Sequence, residues 1–262
     1  MSSTDAPVLL IDITDRVATL TLNRPAQRNS LSVALMTALE AALESVGKNP
    51  AVGVVVLAAN GPAFCSGHDL KELKANNGPE FTLALFQQCS RLMQRIVALP
   101  KPVIARVQGI ATAAGCQLVA SADLAIAANT THFATPGVNI GLFCSTPMVA
   151  LSRNVGRKKS MEMLLTGDMV DATEAVAIGL INKSVPLEML DVEVTALAGK
   201  IISKSPYTLK LGKEAFYHQL ELPLDEAYAY ASEIMARNME AMDAEEGISA
   251  FLEKRPPCWQ GK

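Results

Sequence analysis

Arg106-Val107-Gln108-Gly109-Ile110-Ala111-Thr112-Ala113-Ala114-Gly115-Cys116-Gln117-Leu118 is the stretch on which the reading of the chain turns. An apolar run from Pro102 to Val107 leads into eight residues that are nearly all small, and the pattern becomes helical through Leu118 and Val119. That order predicts a buried strand, a tight turn and the first turn of a helix. Backbone N–H groups at a helix start have no intrahelical acceptor and carry partial positive charge. Alanine and glycine side chains let another group approach that backbone closely. Such a turn suits an oxygen that becomes negative during a reaction.

A second stretch repeats the device. Ala63-Phe64-Cys65-Ser66-Gly67-His68-Asp69-Leu70-Lys71-Glu72 follows a predicted strand at Val54 to Leu57, holds small residues around a glycine, and leads into a helical pattern. Upstream, Val8 to Ile13 and Val17 to Leu22 read as a β-hairpin across Thr14-Asp15-Arg16. A loop, Asn23 to Asn29, follows, and then a helix from Leu31 to Val46 that Ser30 is placed to cap. Phe81 to Leu99 is an amphipathic helix broken by Pro100 and Pro102. Downstream come short strands at Asp123 to Ala127, His132 to Ala134 and Ile181 to Val185. Helices occupy Pro147 to Val155 and Lys159 to Leu165, and Thr173 is placed to cap another. Thr135 to Gly141 reads as a loop. After Pro186 strand signals almost vanish, and Leu187 to Ser203, Pro206 to Leu220 and Leu224 to Ala241 are helical. A boundary near Ser203–Pro206 then divides an α/β body, residues 1–203, from a helical region, residues 204–262, whose apolar faces suit association into a homo-oligomer.

The bulk numbers narrow the function. The 262 residues are 50% hydrophobic and 19% charged, with a net charge of −3, so a large core is available and nothing resembles a basic nucleic-acid surface. No apolar run reaches membrane-spanning length. Five scattered cysteines, an odd number without a C-x-x-C pair, argue against a disulfide framework, and with three dispersed histidines they argue against a zinc site. The polar start, Met1 to Pro7, has neither a signal peptide's apolar region nor an Arg-rich transit pattern, which points to a cytoplasmic location.

The motifs together resemble the enoyl-CoA hydratase/isomerase, or crotonase, family. The resemblance rests on Phe64 to Leu70, on Lys101 to Ala105 with Gly109 to Cys116, and on Leu165-Thr166-Gly167. Asp123-Leu124, Ala175 with Gly179-Leu180, and Glu246 to Arg255 add to it. It runs in order from about Leu9 to Arg255, which makes it far more specific than one glycine-rich turn. It implies a spiral of ββα units with a C-terminal all-helical trimerisation region, as a homotrimer or a dimer of trimers. It also implies a CoA thioester as substrate or ligand, with no separate cofactor and no metal. By motif position the thioester oxygen would sit between the backbone N–H groups of His68 and Ala114. Ser66 would meet the adenine, Ala26, Arg28 and Lys71 would line the CoA path, and Phe251 and Lys254 would reach the CoA of a neighbouring subunit.

The sequence departs from that pattern where the proton chemistry should be. Hydratases of the family use two glutamates. At the first position stands Gln117 and at the second Gly137. Glutamine orients water but does not exchange a proton near neutral pH, and a general acid–base group contributes roughly 10²–10⁴-fold. Hydration by the two-glutamate route should therefore be weak or absent, and a non-catalytic acyl-CoA-binding or assembly subunit is the alternative reading. Asp69, Glu72 and Asp123 are the nearest carboxylates in sequence. Asp69 reads as a helix-start residue, Asp123 as structural and Cys144 as packing. Gly137 also matches the dihydroxynaphthoyl-CoA synthase branch, which recruits bicarbonate there, so a small anion or water in that gap is a further expectation. Leu73, Leu142 and Phe143 point to an apolar acyl group.

Overall fold

The computed structural model describes residues 6–262; the first five residues of the polar start lie outside it. Two sheets form the body. The strands are β1 (Leu9–Thr14), β2 (Val17–Leu22), β3 (Val54–Ala59), β4 (Ala63–Cys65), β5 (Val103–Val107), β6 (Ile110–Thr112), β7 (Leu124–Ala128), β8 (His132–Ala134), β9 (Val170–Asp171) and β10 (Lys183–Val185). The six-stranded sheet runs β1-β2-β3-β5-β7-β10, and the four-stranded sheet β4-β6-β8-β9. Only the β1–β2 and β8–β9 pairs are antiparallel. Each of β3, β5 and β7 is followed at once by a short strand of the smaller sheet, so successive units give the ββα spiral expected from the sequence.

The helices are α1 (Val33–Lys48), α2 (Leu70–Ala75), α3 (Pro79–Ala98), α4 (Ala114–Ser121), α5 (Pro147–Asn154), α6 (Arg157–Thr166), α7 (Ala172–Ala177), α8 (Leu190–Ile202), α9 (Pro206–Gln219), α10 (Leu224–Met239) and α11 (Met242–Glu253). They take the two faces of the large sheet unequally. Every residue of β3 is buried, as a strand covered on both sides requires. Val55, Leu57 and Ala59 join the main core with α1, α3 and α4. Val54, Val56 and Ala58 join a second, smaller core against Leu190, Val194 and Ala198 of α8.

Four local expectations are corrected. The stretch after β5 is not a simple turn, because Ile110–Thr112 is itself a strand, pairing with β4 and β8. Ser32, not Ser30, caps α1 by accepting a hydrogen bond from the Leu35 N–H. Asp171, not Thr173, caps α7 through the Glu174 N–H. The predicted loop at Thr135 to Gly141 contains a 3₁₀ turn, Pro136–Ile140.

The helices after residue 203 are tied back to the body. Lys213 on α9 is buried and donates to the Ile96 and Lys101 carbonyls and to Asp123 Oδ2 (2.7 Å), while Tyr217 donates its hydroxyl to Asp123 Oδ1 (2.8 Å). Asp123 also accepts from the Val103 N–H, so its role is structural, as its place before a strand implies.

Candidate active site at two paired turns

The two glycine-containing stretches meet. A β-carbon added at Gly67, whose φ is +96°, would lie 2.9 Å from the Ala113 methyl and 3.4 Å from the Ala114 nitrogen. Glycine is required there by both the backbone angle and the space. The strands carrying the turns are equally close. A β-carbon at Gly109 would stand 2.1 Å from the Pro62 carbonyl oxygen, and one at Gly115 2.0 Å from that of Cys65.

At the first turn His68 forms a parallel bridge with Leu31. The Leu31 N–H donates to the Gly67 carbonyl (2.8 Å), and the Asp69 N–H donates to the Leu31 carbonyl (3.1 Å). In a parallel bridge the groups flanking His68 make those bonds, so its own N–H faces the opposite side. It has no acceptor among the described residues. At the second turn Ala113 is held at φ +50°, ψ −119°, a conformation that costs a non-glycine residue about 1–3 kcal/mol. Its N–H donates to the Ala134 carbonyl (2.9 Å). Ala114 then opens α4, which has no side-chain cap, and the Ala114 N–H is also without an acceptor. Two unengaged backbone donors thus sit on adjoining turns, one of them at a helix N-terminus where negative charge is stabilised.

A scaffold that sequence reading missed fixes the first turn. Arg24 forms an ion pair with Asp69 (2.9 Å) and donates to the Ser30 carbonyl. Asn29, fully buried at φ +53°, donates to the Asn60 and Ala63 carbonyls. Asp69 caps α2 through the N–H groups of Lys71 and Glu72. Burial disfavours the charged Asp69 carboxylate, but the hydrogen bonds from Arg24 and these two N–H groups, with the Arg24 charge, outweigh it and hold its carboxyl below the usual range. Glu72 accepts from the Val33 N–H. Of this scaffold the sequence marks Asp69 as a helix-start residue; neither its pairing with Arg24 nor the burial of Asn29 has a local signal.

The proposed CoA-lining residues are partly brought together. The Ser66 N–H donates to the Arg28 carbonyl (3.1 Å), which ties the loop carrying Ala26 and Arg28 to the first turn. Ala26, Arg28 and Lys71 are exposed. Phe251 and Lys254 lie at the end of α11, both exposed, and no hydrogen bond or ion pair among the described residues joins them to this group.

The two positions without glutamate differ from each other. Gln117 is buried, and its Oε1 faces the Cys89 thiol at 3.9 Å. At Gly137 an added β-carbon would meet the Leu142 carbonyl oxygen at 2.6 Å and Cys144 Sγ at 2.9 Å. The loop after the 3₁₀ turn thus lies directly over the Gly137 α-carbon, held by the Leu142 N–H on the Gly137 carbonyl. Cys144 is itself buried, and burial pushes its thiol up, against the lowering effect of a backbone hydrogen bond from Gly137. Leu142 and Phe143 point outward, whereas Leu73 packs against the core. A cleft of about 800 Å³ lies elsewhere, over the outer face of the large sheet beside α8, lined by Asp12, Thr19, Arg106, Gln108 and Asp191.

A spiral of ββα units whose paired turns present two free backbone donors defines a class, and sequence comparison agrees. Residues 12–262 match the family model described as enoyl-CoA hydratase/isomerase, and the chain belongs to that family. Within it, the stretch Gly141 to Pro147 looks like the group called enoyl-CoA hydratase domain-containing protein 3, and the mitochondrial protein of that name from Rattus norvegicus is 47% identical over 94% of this chain and 82% of its own. The crystal structure of the human protein of that name superposes with a TM-score of 0.94 at 46% identity, covering 96% of this chain and all of the other. An enoyl-CoA hydratase structure from Mycobacterium smegmatis gives a TM-score of 0.95 at 52% identity, covering 97% and 99%. The expected cytoplasmic location does not stand. Relatives from rat, mouse, frog, human and zebrafish at 44–47% identity are named as mitochondrial. The expectation rested on the pattern of Met1 to Pro7, and these relatives overturn it.

Proposed function

We propose that the protein binds acyl-CoA or enoyl-CoA thioesters, with the thioester oxygen between the backbone N–H groups of His68 and Ala114. The observation that carries this reading is the contact of Gly67 with Ala113 and Ala114, which sets those two unengaged donors side by side. Two such donors stabilise an enolate or a tetrahedral oxyanion, and removing one from an oxyanion site typically costs about 10²–10³-fold in rate. The CoA moiety runs over Ala26, Arg28, Ser66 and Lys71, with Arg28 and Lys71 offering charge to phosphates. Phe251 and Lys254 complete the CoA site of a neighbouring copy. The exposed apolar residues of α10 and α11, among them Leu224, Tyr228, Met239, Ile248 and Leu252, support association into trimers or paired trimers.

Hydration through two glutamates is weak or absent in this reading, and the work is that of an enzyme of acyl-CoA metabolism with a non-standard site. A second reading, an acyl-CoA-binding or assembly subunit without turnover, is favoured by one observation: Leu142 and Cys144 crowd the point where a side chain at residue 137 would begin. Calorimetric titration with butyryl-CoA, run beside a crotonyl-CoA hydration assay, tests both. Binding is expected, with slow or undetectable hydration. Absence of butyryl-CoA binding sinks the thioester reading, and measurable product separates the enzyme from the binding subunit.

A further inference from the structure

Helix α11 has little packing of its own: of its 12 residues only Asp243 and Ala250 are buried. The segment that follows it, residues 256–262, turns back and runs along α11 in the opposite direction. At the turn both Nη groups of Arg255 donate to the Glu246 carboxylate, and the Cys258 N–H donates to the same group. The Trp259 ring lies on the helix at Gly247, where an added β-carbon would stand 3.1 Å from it. The N–H groups of Gln260 and Gly261 donate to the Asp243 carboxylate, and the Asp243 N–H donates to the Lys262 carbonyl.

The same segment grips the bend between α8 and α9, which is remote in sequence. Trp259 Nε1 donates to the Ser203 carbonyl (2.8 Å). A β-carbon at Gly261, whose φ is +76°, would lie 3.3 Å from the Pro206 ring. The Ser205 hydroxyl caps α9 by accepting from the Thr208 N–H, and it donates its own hydrogen to Asp243. Asp243, on α11, thus collects donors from the bend and from the returning segment. It is 2% exposed, and a carboxylate so buried is tolerated only while its donors stay in place. Loosening any one of the three pieces weakens the other two.

We propose that residues 256–262 form a strap, knotted at Asp243, that locks the α8–α9 bend and α11 into one unit and fixes the direction in which α11 shows its apolar side. At about 3.6 residues per turn, Asp243, Glu246, Gly247 and Ala250 lie on the strapped side of the helix. Ile248 and Leu252 lie on the opposite side, and both are exposed. Helix α9 has a separate fastening to the body, through Lys213 and Tyr217 on Asp123, so the body stays folded when the strap opens. The link to association between copies rests on the reading of the α10 and α11 faces given above.

The test compares the full chain, a chain stopped at Arg255, and Trp259→Phe, which keeps an aromatic ring and removes the donor to Ser203. Hydrogen exchange of residues 203–209 and of α11 should quicken together in both variants, about 5-fold or more, the size of one net hydrogen bond, with α1 and α3 unchanged. In Trp259→Phe, loosening of only one of the two segments overturns the proposal, and so does an equal rise in α1 and α3. That variant carries the test if the shortened chain does not fold. Sedimentation velocity of the same proteins reads the apolar side: the wild type should associate, and Trp259→Phe should associate about 5-fold more weakly. Unchanged association overturns the placing of α11 by the strap. A monomeric wild type removes the association reading instead, and the exchange result still decides whether the strap locks the two segments.

Discussion

Gly67 and Ala113 stand so close that a methyl group on residue 67 would press 2.9 Å from the one already on residue 113. Gly67→Ala should therefore destabilise the protein by about 1–3 kcal/mol, from overpacking and from the positive φ. Thioester binding should fall at least about 10-fold, because the two donors move apart. Ala113→Gly should be neutral or stabilising by up to about 1 kcal/mol, since it relieves the positive φ. In the double variant the lost methyl makes room for the new one, so the two changes should couple rather than add. Urea unfolding of the four proteins checks this; strict additivity would deny that the two residues touch.

Gln117→Glu alone should raise crotonyl-CoA hydration by roughly 10²-fold or more, because one proton-exchanging group returns. Gly137→Glu should not add to it. A side chain at 137 meets backbone and a thiol before it reaches substrate, and the expected outcome is a loss of about 1–3 kcal/mol in stability with no gain in rate. A double variant much faster than Gln117→Glu would show that the 142–144 loop yields.

Arg24→Ala leaves Asp69 without its cation and the Ser30 carbonyl without its donor, in surroundings where both side chains of the pair are less than a fifth exposed. A loss of about 1–3 kcal/mol is expected. Because the Leu31–His68 bridge depends on this loop, affinity for butyryl-CoA should drop as well. Chemical denaturation and calorimetry together read both effects, and stability loss with affinity retained would separate the scaffold from the site.

Burial disfavours the charged imidazole of His68 and lowers its pKa from 6.5 to about 4. Between those values the unfolded chain binds a proton that the folded chain refuses, so this contribution to stability is full above pH 6.5 and declines as pH falls toward 4. The decline amounts to at most about 3 kcal/mol. His68→Leu should lose that part of the acid sensitivity. Unfolding free energies at pH 7 and pH 5 for both proteins give the comparison; identical slopes would mean that the imidazole titrates freely in the fold.

Much of the fold was legible because its signals are local. The β3 run is apolar on both faces, so it had to be covered on both, and Asp69 before a helical pattern had to start a helix. What escaped depended on distant partners. Ile110–Thr112 is too short to announce a strand and becomes one only by pairing with β4 and β8. Ser30 stood where a cap was expected, but its hydroxyl faces Asp69 and Arg24, with Asp69 39 positions away. At the site, the sequence alone marks Gln117 and Gly137 as positions without a carboxylate. That a side chain at 137 would meet the 142–144 loop at its first carbon could not be read, because the contact is made by the backbone of Leu142 and the thiol of Cys144.

Gly109 and Gly115 rest almost directly on the carbonyls of Pro62 and Cys65. Main chain is laid on main chain there, with no side chain between to be lengthened or trimmed. At these two contacts the separation of the two turns is set by backbone alone. Side chains elsewhere around the turns can change while the spacing that these two contacts set stays as it is.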